Sequence, residues 1–188
     1  MGGKLKYNAR FGDVERDPGS YVKKFVEQAE VLKVYWAVAG CALLFAAFSR
    51  SARIAAYPLY ARFPGLLHDT FSDLSLLMRR RDDAICAVNW LTGIDTKLLD
   101  RVGGLAHARR KCGAEVHIHQ YSGGVVFQAG DRPVLGDVNA ADVPAAYRRV
   151  SRVLRPLRFN AYTSSDFIPV PPEVDGADAT QAWISRFD

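Results

Sequence analysis

Apolar and polar positions repeat with a helical period near the start of the chain. Ser20 stands where a helix N-cap belongs, and apolar side chains follow it at helical spacing: Tyr21, Phe25, Ala29 and Leu32. This pattern predicts an amphipathic helix. Before it, residues 4–11 (KLKYNARF) fit a short edge strand whose lysines discourage stray pairing. Residues 12–19 are predicted to be a turn-rich, charged linker.

The longest apolar run covers residues 34–48, with Val, Tyr and Trp clustered at its start. A helix needs about 20 residues to cross a bilayer, so this run is too short to span a membrane. Its β-branched and aromatic residues predict a strand in at least the first half. Residues 53–62 form either one helix interrupted by Pro58 or two short pieces, ended by the Phe63-Pro64-Gly65 triplet.

The second half of the chain shows clearer boundaries. Residues 84–91 (AICAVNWL) are predicted to form a strand that is buried on both faces. Asp95 can cap a helix that Gly103 ends, and residues 105–111 form a short helix that stops at Gly113.

A β-hairpin and two further helices complete the pattern. Residues 115–121 and 125–128 flank Ser122-Gly123-Gly124, which is a hairpin signal. Asp142 can cap the next helix, Pro156 ends it, and a short terminal helix follows. The order of elements lacks βαβ regularity. It predicts an α+β fold: a single domain with an antiparallel or mixed sheet, a β-hairpin, and amphipathic helices packed mainly on one face.

Charge and cysteine content narrow the class of protein. The chain carries 25 basic and 20 acidic residues, a net charge of +5. This mild excess is not gathered in one element, as a dedicated nucleic-acid binder would have it, although a basic nucleic-acid-binding module stays open as an alternative. The cysteines Cys41, Cys86 and Cys112 share no metal-like spacing, and their apolar settings indicate buried, reduced thiols. Reduced thiols are typical of the cytoplasm.

The candidate chemistry lies in one strand of the predicted hairpin. The chain has no nucleophile elbow, catalytic-cysteine signature or phosphate-binding Gly-rich loop. In a strand, Glu115, His117 and His119 project to the same face. Two imidazoles and a carboxylate on one face could bind a transition metal and serve a metal-dependent enzyme. The alternative is a polar outer face that meets solvent or a partner.

The loop at residues 129–139 (AGDRPVLGDVN) is the other dense polar stretch. Its polar side chains either satisfy their own turn or form a rigid loop that offers hydrogen-bonding groups to a partner; they are Asp131, Arg132, Asp137 and Asn139. The three tryptophans fit the core better than an interface: Trp36, Trp90 and Trp183.

Five stretches in this order resemble one protein family. They are residues 57–65 (YPLYARFPG), 87–92 (AVNWLT), 123–139 (GGVVFQAGDRPVLGDVN), 146–158 (AYRRVSRVLRPLR) and 179–188 (ATQAWISRFD). The chain resembles the type VI secretion immunity proteins that pair with nuclease toxins of the restriction-endonuclease-like, VRR-Nuc class. The likeness is best over residues 57–188 and looser over the strand, helix and strand of residues 1–50. It implies a single immunity-type domain over residues 1–188.

The resemblance implies a cognate type VI secretion effector as partner, inhibition by occlusion, no catalysis, no cofactor and no metal. It transfers no site residues, so a partner-facing surface is predicted from the exposed polar positions of the hairpin and loop: Glu115, His117, His119, Asp131, Arg132, Asp137 and Asn139. An inhibitor that imitates DNA should be strongly acidic. A net charge of +5 therefore argues against plain DNA mimicry.

Overall fold

The computed structural model describes residues 9–45, 49–68, 83–159 and 168–188. The strands are β1 (Trp36–Ala39), β2 (Cys41–Ala42), β3 (Leu66–Leu67), β4 (Leu91–Asp95), β5 (Val116–Tyr121) and β6 (Gly124–Ala129). The helices are α1 (Phe11–Arg16), α2 (Pro18–Val31), α3 (Arg50–Ala55), α4 (Tyr57–Arg62), α5 (Thr96–Arg101), α6 (Gly104–Cys112), α7 (Ala145–Leu154) and α8 (Gly176–Ile184). Short 3-10 turns cover Val138–Ala140 and Arg155–Leu157. The mixture confirms the α+β prediction.

The main sheet has the strand order β1-β4-β6-β5, with every neighbouring pair antiparallel. Strands β5 and β6 form the predicted hairpin, in which Val116 pairs with Ala129 and Tyr121 with Gly124. Strand β5 is therefore at one edge of the sheet. A separate parallel pair joins β2 to β3.

Helices cover both faces of the main sheet. Helix α2 lies on the face that carries Gly93, where an added Cβ would be 3.6 Å from Val126 and 3.7 Å from the ring of Phe25. Helices α5 and α7 contact β6, whose Val125 and Phe127 are buried on the opposite face, and α6 packs against both of these helices.

One core of buried side chains runs from Val14 in α1 to Phe187 near the end of the chain. Trp90 and Trp183 are buried, and Trp36 packs against the core while partly exposed. The prediction that the tryptophans belong to the core is therefore confirmed.

The start of the chain differs from the prediction. Residues 12–19 are not a linker, because α1 occupies Phe11–Arg16 and α2 already begins at Pro18. Asp17, not Ser20, caps α2: its carboxylate accepts a hydrogen bond from the Ser20 backbone N–H at 3.0 Å. Pro18 fits the first turn because its φ is already helical and its missing N–H is not needed there. Of the predicted strand at 4–11, residues 4–8 lie outside the described part of the chain.

The prediction of a strand in the first half of the apolar run at residues 34–48 is confirmed, because β1 covers Trp36–Ala39. Residues 53–62 belong to two helices, and Pro58 lies in the first turn of α4. Among the described residues, no helix combines the length and the apolar character that crossing a bilayer requires.

The prediction of a strand over residues 84–91 is wrong, although the whole stretch is buried. Only an isolated bridge pairs Ile85 with Arg158, and β4 begins at Leu91. The backbone N–H of Asn89 donates to Oγ1 of Thr92 at 3.1 Å, and that of Trp90 donates to Oδ1 of Asn89 at 2.8 Å. Side chains thus satisfy backbone groups that a strand would pair with a neighbour.

Asp95 caps α5 as predicted, accepting from the Leu98 N–H at 2.8 Å. The cap predicted at Asp142 is wrong. Its backbone pairs with that of Asp137, and Pro144 is the residue before α7. Helix α7 begins only at Ala145, so Asp142 lies two residues before the N-cap position. Helix α7 ends at Leu154, and Pro156 lies in the 3-10 turn that follows.

Candidate partner-binding site

The hairpin face does not gather its three candidate metal ligands. Nε2 of His119 is 2.7 Å from Oε1 of Gln128, which is its cross-strand diagonal neighbour. Nε2 of His117 is 3.5 Å from Oδ1 of Asp131. Oε2 of Glu115 is 3.2 Å from Nε of Arg149 in α7. Each side chain therefore turns to a different partner.

No group of three or more His, Cys, Asp or Glu side chains arranged to hold a metal ion occurs within the described ranges. A metal site on this strand would need its ligands to converge on one point. The arrangement fits the alternative prediction, a polar outer face at the edge of the sheet.

The thiols do not offer a nucleophile either. Cys86 and Cys112 are buried, and loss of hydration raises the pKa of Cys86 to about 12 and that of Cys112 to about 11. Burial also raises the pKa of Cys41 to about 11. Since the thiolate is the reactive form, these side chains are chemically quiet near neutral pH. A hollow lined by Ile85, Ser151 and Arg158 has room for about 10 Å³, which is at most one water molecule.

The loop of residues 131–142, here named the anchor loop, is fixed to α4 by an ion pair. Nη2 of Arg62 is 2.7 Å from Oδ2 of Asp137, and Nε of Arg62 is 3.1 Å from both carboxylate oxygens. Hydrogen bonding from Arg62 holds the pKa of Asp137 below its usual 3.8, and the same contact raises the pKa of Arg62. The predicted polar residue Asp137 thus holds the loop in place.

Backbone contacts fix the same loop at several points. The Gly65 N–H donates to the carbonyl of Leu135 at 2.7 Å, and the Val134 N–H donates to the phenolic oxygen of buried Tyr147 at 3.1 Å. Gly136 has a φ of +64°, and an added Cβ there would lie 2.6 Å from the carbonyl oxygen of Asp142. Only glycine suits this tight, left-handed position.

The rigid anchor loop exposes apolar side chains to solvent. Val134 is 41% exposed, Leu135 37% and Val138 44%. Leu59 is also exposed and lies on α4 one turn before Arg62. Asp131, Arg132 and Asn139 are exposed on the loop as well. The sequence reasoning attended to the polar residues of this stretch, and the three apolar positions between them were not singled out.

A basic surface adjoins the hairpin, and the sequence reasoning missed it. The basic cluster consists of Arg109, Arg110 and Lys111 in α6 with Arg148, Arg149 and Arg152 in α7. The two helices pack against each other, and Nη1 of Arg149 reaches within 2.8 Å of where a Cβ on Gly113, the residue after α6, would lie. The signal was present as two separate runs, RRK and RRVSR, which are not adjacent in the sequence.

Comparison with known proteins supplies the family. A search of curated proteins found no match. Among solved structures, the chain is similar to the Pseudomonas aeruginosa T6SS protein PA0821, with a TM-score of 0.75 and 26% sequence identity. That match covers 96% of this chain and 51% of the other, so the chain spans about half the length of that structure.

A family model described as type VI immunity for VRR-NUC, named TsiV, matches residues 14–187. The matched region includes the hairpin, the anchor loop and the basic cluster. Because the match extends over most of the sequence, the chain belongs to the TsiV family of type VI immunity proteins.

Proposed function

We propose that this chain binds a VRR-Nuc nuclease effector of type VI secretion and neutralises it by occlusion, without catalysis and without a cofactor. Membership of the TsiV family supports the nature of the partner. The observation that carries the proposal is the rigid anchor loop, which presents Val134, Leu135 and Val138 to solvent. Under this proposal residues 1–188 act as one immunity-type domain.

An exposed apolar loop of fixed shape suits tight binding. Apolar side chains gain most when they enter a pocket from which water is excluded, with polar contacts around them. Because the loop is already held by Arg62, Gly65 and Tyr147, little conformational entropy is lost when a partner orders it.

The polar residues around the loop form the rim of the proposed interface. Glu115, His117 and Asp131 are exposed at the sheet edge, with His119 half-buried beside them. Arg132 and Asn139 are exposed on the loop itself. Asp137 acts through the loop, as a positioning residue, since its carboxylate is engaged by Arg62.

The net charge agrees with inhibition by occlusion, and the free thiols agree with a cytoplasmic location. A net charge of +5 does not suit an imitation of DNA, so the effector is blocked by a covering protein surface. The described cysteines are all free, which suits the reducing cytoplasm, where a nuclease would threaten the chromosome.

Co-expression tests the proposal. The chain is produced with the VRR-Nuc effector encoded beside it, and growth rescue, co-purification and residual nuclease activity are measured. We expect rescue and a stoichiometric complex. The proposal fails if the wild-type chain neither co-purifies with the effector nor reduces its nuclease activity.

Paired variants test the anchor loop. Leu135→Ser with Val138→Ser should weaken the complex about 10- to 100-fold, as expected when two central apolar contacts are lost. The matched control is Val31→Ser with Leu32→Ser, a pair that is also exposed and apolar but lies at the end of α2. Equal affinities for the two double variants would place the interface elsewhere.

A further inference from the structure

The basic cluster brings together positive charges that are spread over separate parts of the sequence. Its six cations exceed the net charge of +5 for the whole chain. Arg109, Lys111 and Arg152 are exposed and make no ion pair within the described residues. Within the described part of the chain, the acidic side chain that contacts the cluster is Glu115, whose Oε2 is 3.2 Å from Nε of Arg149. The two helices therefore present a strongly positive surface.

Local stability accounts for only part of this arrangement. Cations at the C-terminal turn of α6 interact favourably with the helix dipole, which explains Arg109 to Lys111. Arg148, however, lies in the first turn of α7, where the dipole disfavours positive charge, whereas Arg149 is held by its ion pair with Glu115. Arg148 and Arg152 are also like charges four residues apart on one helix, a spacing that is unfavourable. A binding role explains charges that folding does not.

We propose that the basic cluster docks on an acidic surface of the VRR-Nuc effector, outside the groove with which the effector contacts DNA. This inference rests on the proposed function. A DNA-contacting groove is positive and would repel the cluster. Carboxylates on a protein surface fit it, because guanidinium groups bind carboxylates through two parallel hydrogen bonds.

The position of the cluster supports a protein partner over DNA. Phosphates bind best at helix N-termini, where N–H groups point outward. Three of the six cations surround the C-terminus of α6, whose carbonyl oxygens point toward any ligand bound there, and Glu115 adds a carboxylate. Through Glu115 the cluster also continues into the hairpin edge at His117 and Asp131, the rim of the proposed interface. One continuous surface can thus engage a single partner.

Charge reversal tests the inference. Arg109→Glu with Arg152→Glu is compared with Arg16→Glu and Lys23→Glu, which makes the same charge change at exposed positions of α1 and α2. Association rate and affinity for the co-encoded VRR-Nuc effector are measured between about 50 and about 500 mM NaCl. Urea unfolding of each variant checks that the fold is kept, and Arg109→Gln with Arg152→Gln provides a milder change.

We expect the cluster variant to associate about tenfold or more slowly at low salt and to lose most of the salt dependence of the wild type. The control pair should stay close to the wild type. If wild type and cluster variant bind the effector at equal rates, the inference is overturned while the proposed function stands. If the wild type does not bind the effector, both fall.

Titration with random duplex DNA tests whether the basic cluster binds nucleic acid instead of a protein. We expect weak binding that the cluster variant does not change. Salt-sensitive DNA binding that the reversal abolishes, together with unchanged effector binding, would show a nucleic-acid site and overturn the inference.

Discussion

The guanidinium of Arg62 contacts both carboxylate oxygens of Asp137, a residue 75 positions later in the chain. This contact ties α4 to the middle of the anchor loop, which carries the exposed apolar side chains. The pair is at the surface, with the Arg62 side chain 49% exposed and that of Asp137 23% exposed. Its value is therefore in positioning more than in stability, because solvent weakens exposed ion pairs.

Replacing Asp137 by Asn should loosen the anchor loop with little effect on the unfolding midpoint. Asp137 also accepts a hydrogen bond from the Asn139 N–H at 3.0 Å, so the turn depends on its side chain twice. Hydrogen exchange should quicken at amides 134–142 and stay unchanged in β6. Equal exchange in variant and wild type would show that the backbone contacts alone hold the loop.

Asn89 should be among the least replaceable polar residues. It is fully buried, its Nδ2 donates to the carbonyl of Gly65 at 3.0 Å, and its Oδ1 accepts from the Trp90 N–H. Asn89→Ala leaves two buried backbone groups unpaired, which costs about 1–3 kcal/mol each. Asn139→Ala, at an exposed position, should change the free energy of unfolding by less than about 0.5 kcal/mol.

Gly40 and Asn89 should be energetically coupled. A Cβ at Gly40 would overlap the side-chain oxygen and carbon of Asn89, so Gly40→Ala should cost about 1–3 kcal/mol through overpacking. In an Asn89→Ala background that overlap is absent, and the same change should cost much less. A double-mutant cycle by urea unfolding measures the coupling, and additive effects would refute it.

Acid should weaken the ion pair between Arg158 and Asp188. Two hydrogen bonds from Arg158, at 2.6 and 2.9 Å, hold the pKa of Asp188 below its usual 3.8. A carboxyl group with a lowered folded pKa stabilises the protein above pH 3.8, and that contribution is lost as the pH falls below it. Urea midpoints from pH about 6 to about 3 should therefore fall more steeply for the wild type than for Asp188→Asn. Parallel curves would contradict this assignment.

The thiols should react slowly in the folded protein. Burial raises the pKa of Cys86 to about 12 and that of Cys112 to about 11, so little thiolate exists near pH 8. Labelling with an aromatic disulfide should proceed first at half-buried Cys41 and accelerate sharply in urea. Rapid labelling of Cys86 and Cys112 in the native protein would show that the core opens readily.

The sequence by itself determined those elements whose signal is local. Helix α2 follows from its apolar spacing, the hairpin from Ser122-Gly123-Gly124 between two strand-like stretches, and α5 from the cap at Asp95. Such features depend on periodicity and turn chemistry within a few residues. The five stretches that resemble the immunity family could also be recognised from the sequence, because each of them is short and contiguous.

Only the tertiary structure decided the path of residues 84–90, which are buried yet not a strand. Part of their backbone bonds to the side chains of Asn89 and Thr92 and to the guanidinium of Arg186. Arg186, which is 98 positions away from Val88, donates to the Val88 carbonyl at 3.0 Å. An apolar run shows that a segment is buried, but it does not show which groups will bond its backbone.

The surfaces proposed for binding were decided in the same way. The anchor loop depends on Arg62 and Tyr147, and the basic cluster depends on the packing of α6 against α7 around Gly113. Both join residues that are far apart in the chain, so neither has a local pattern. Burial and charge are properties of three-dimensional neighbours, and the sequence names the residues without stating which of them meet.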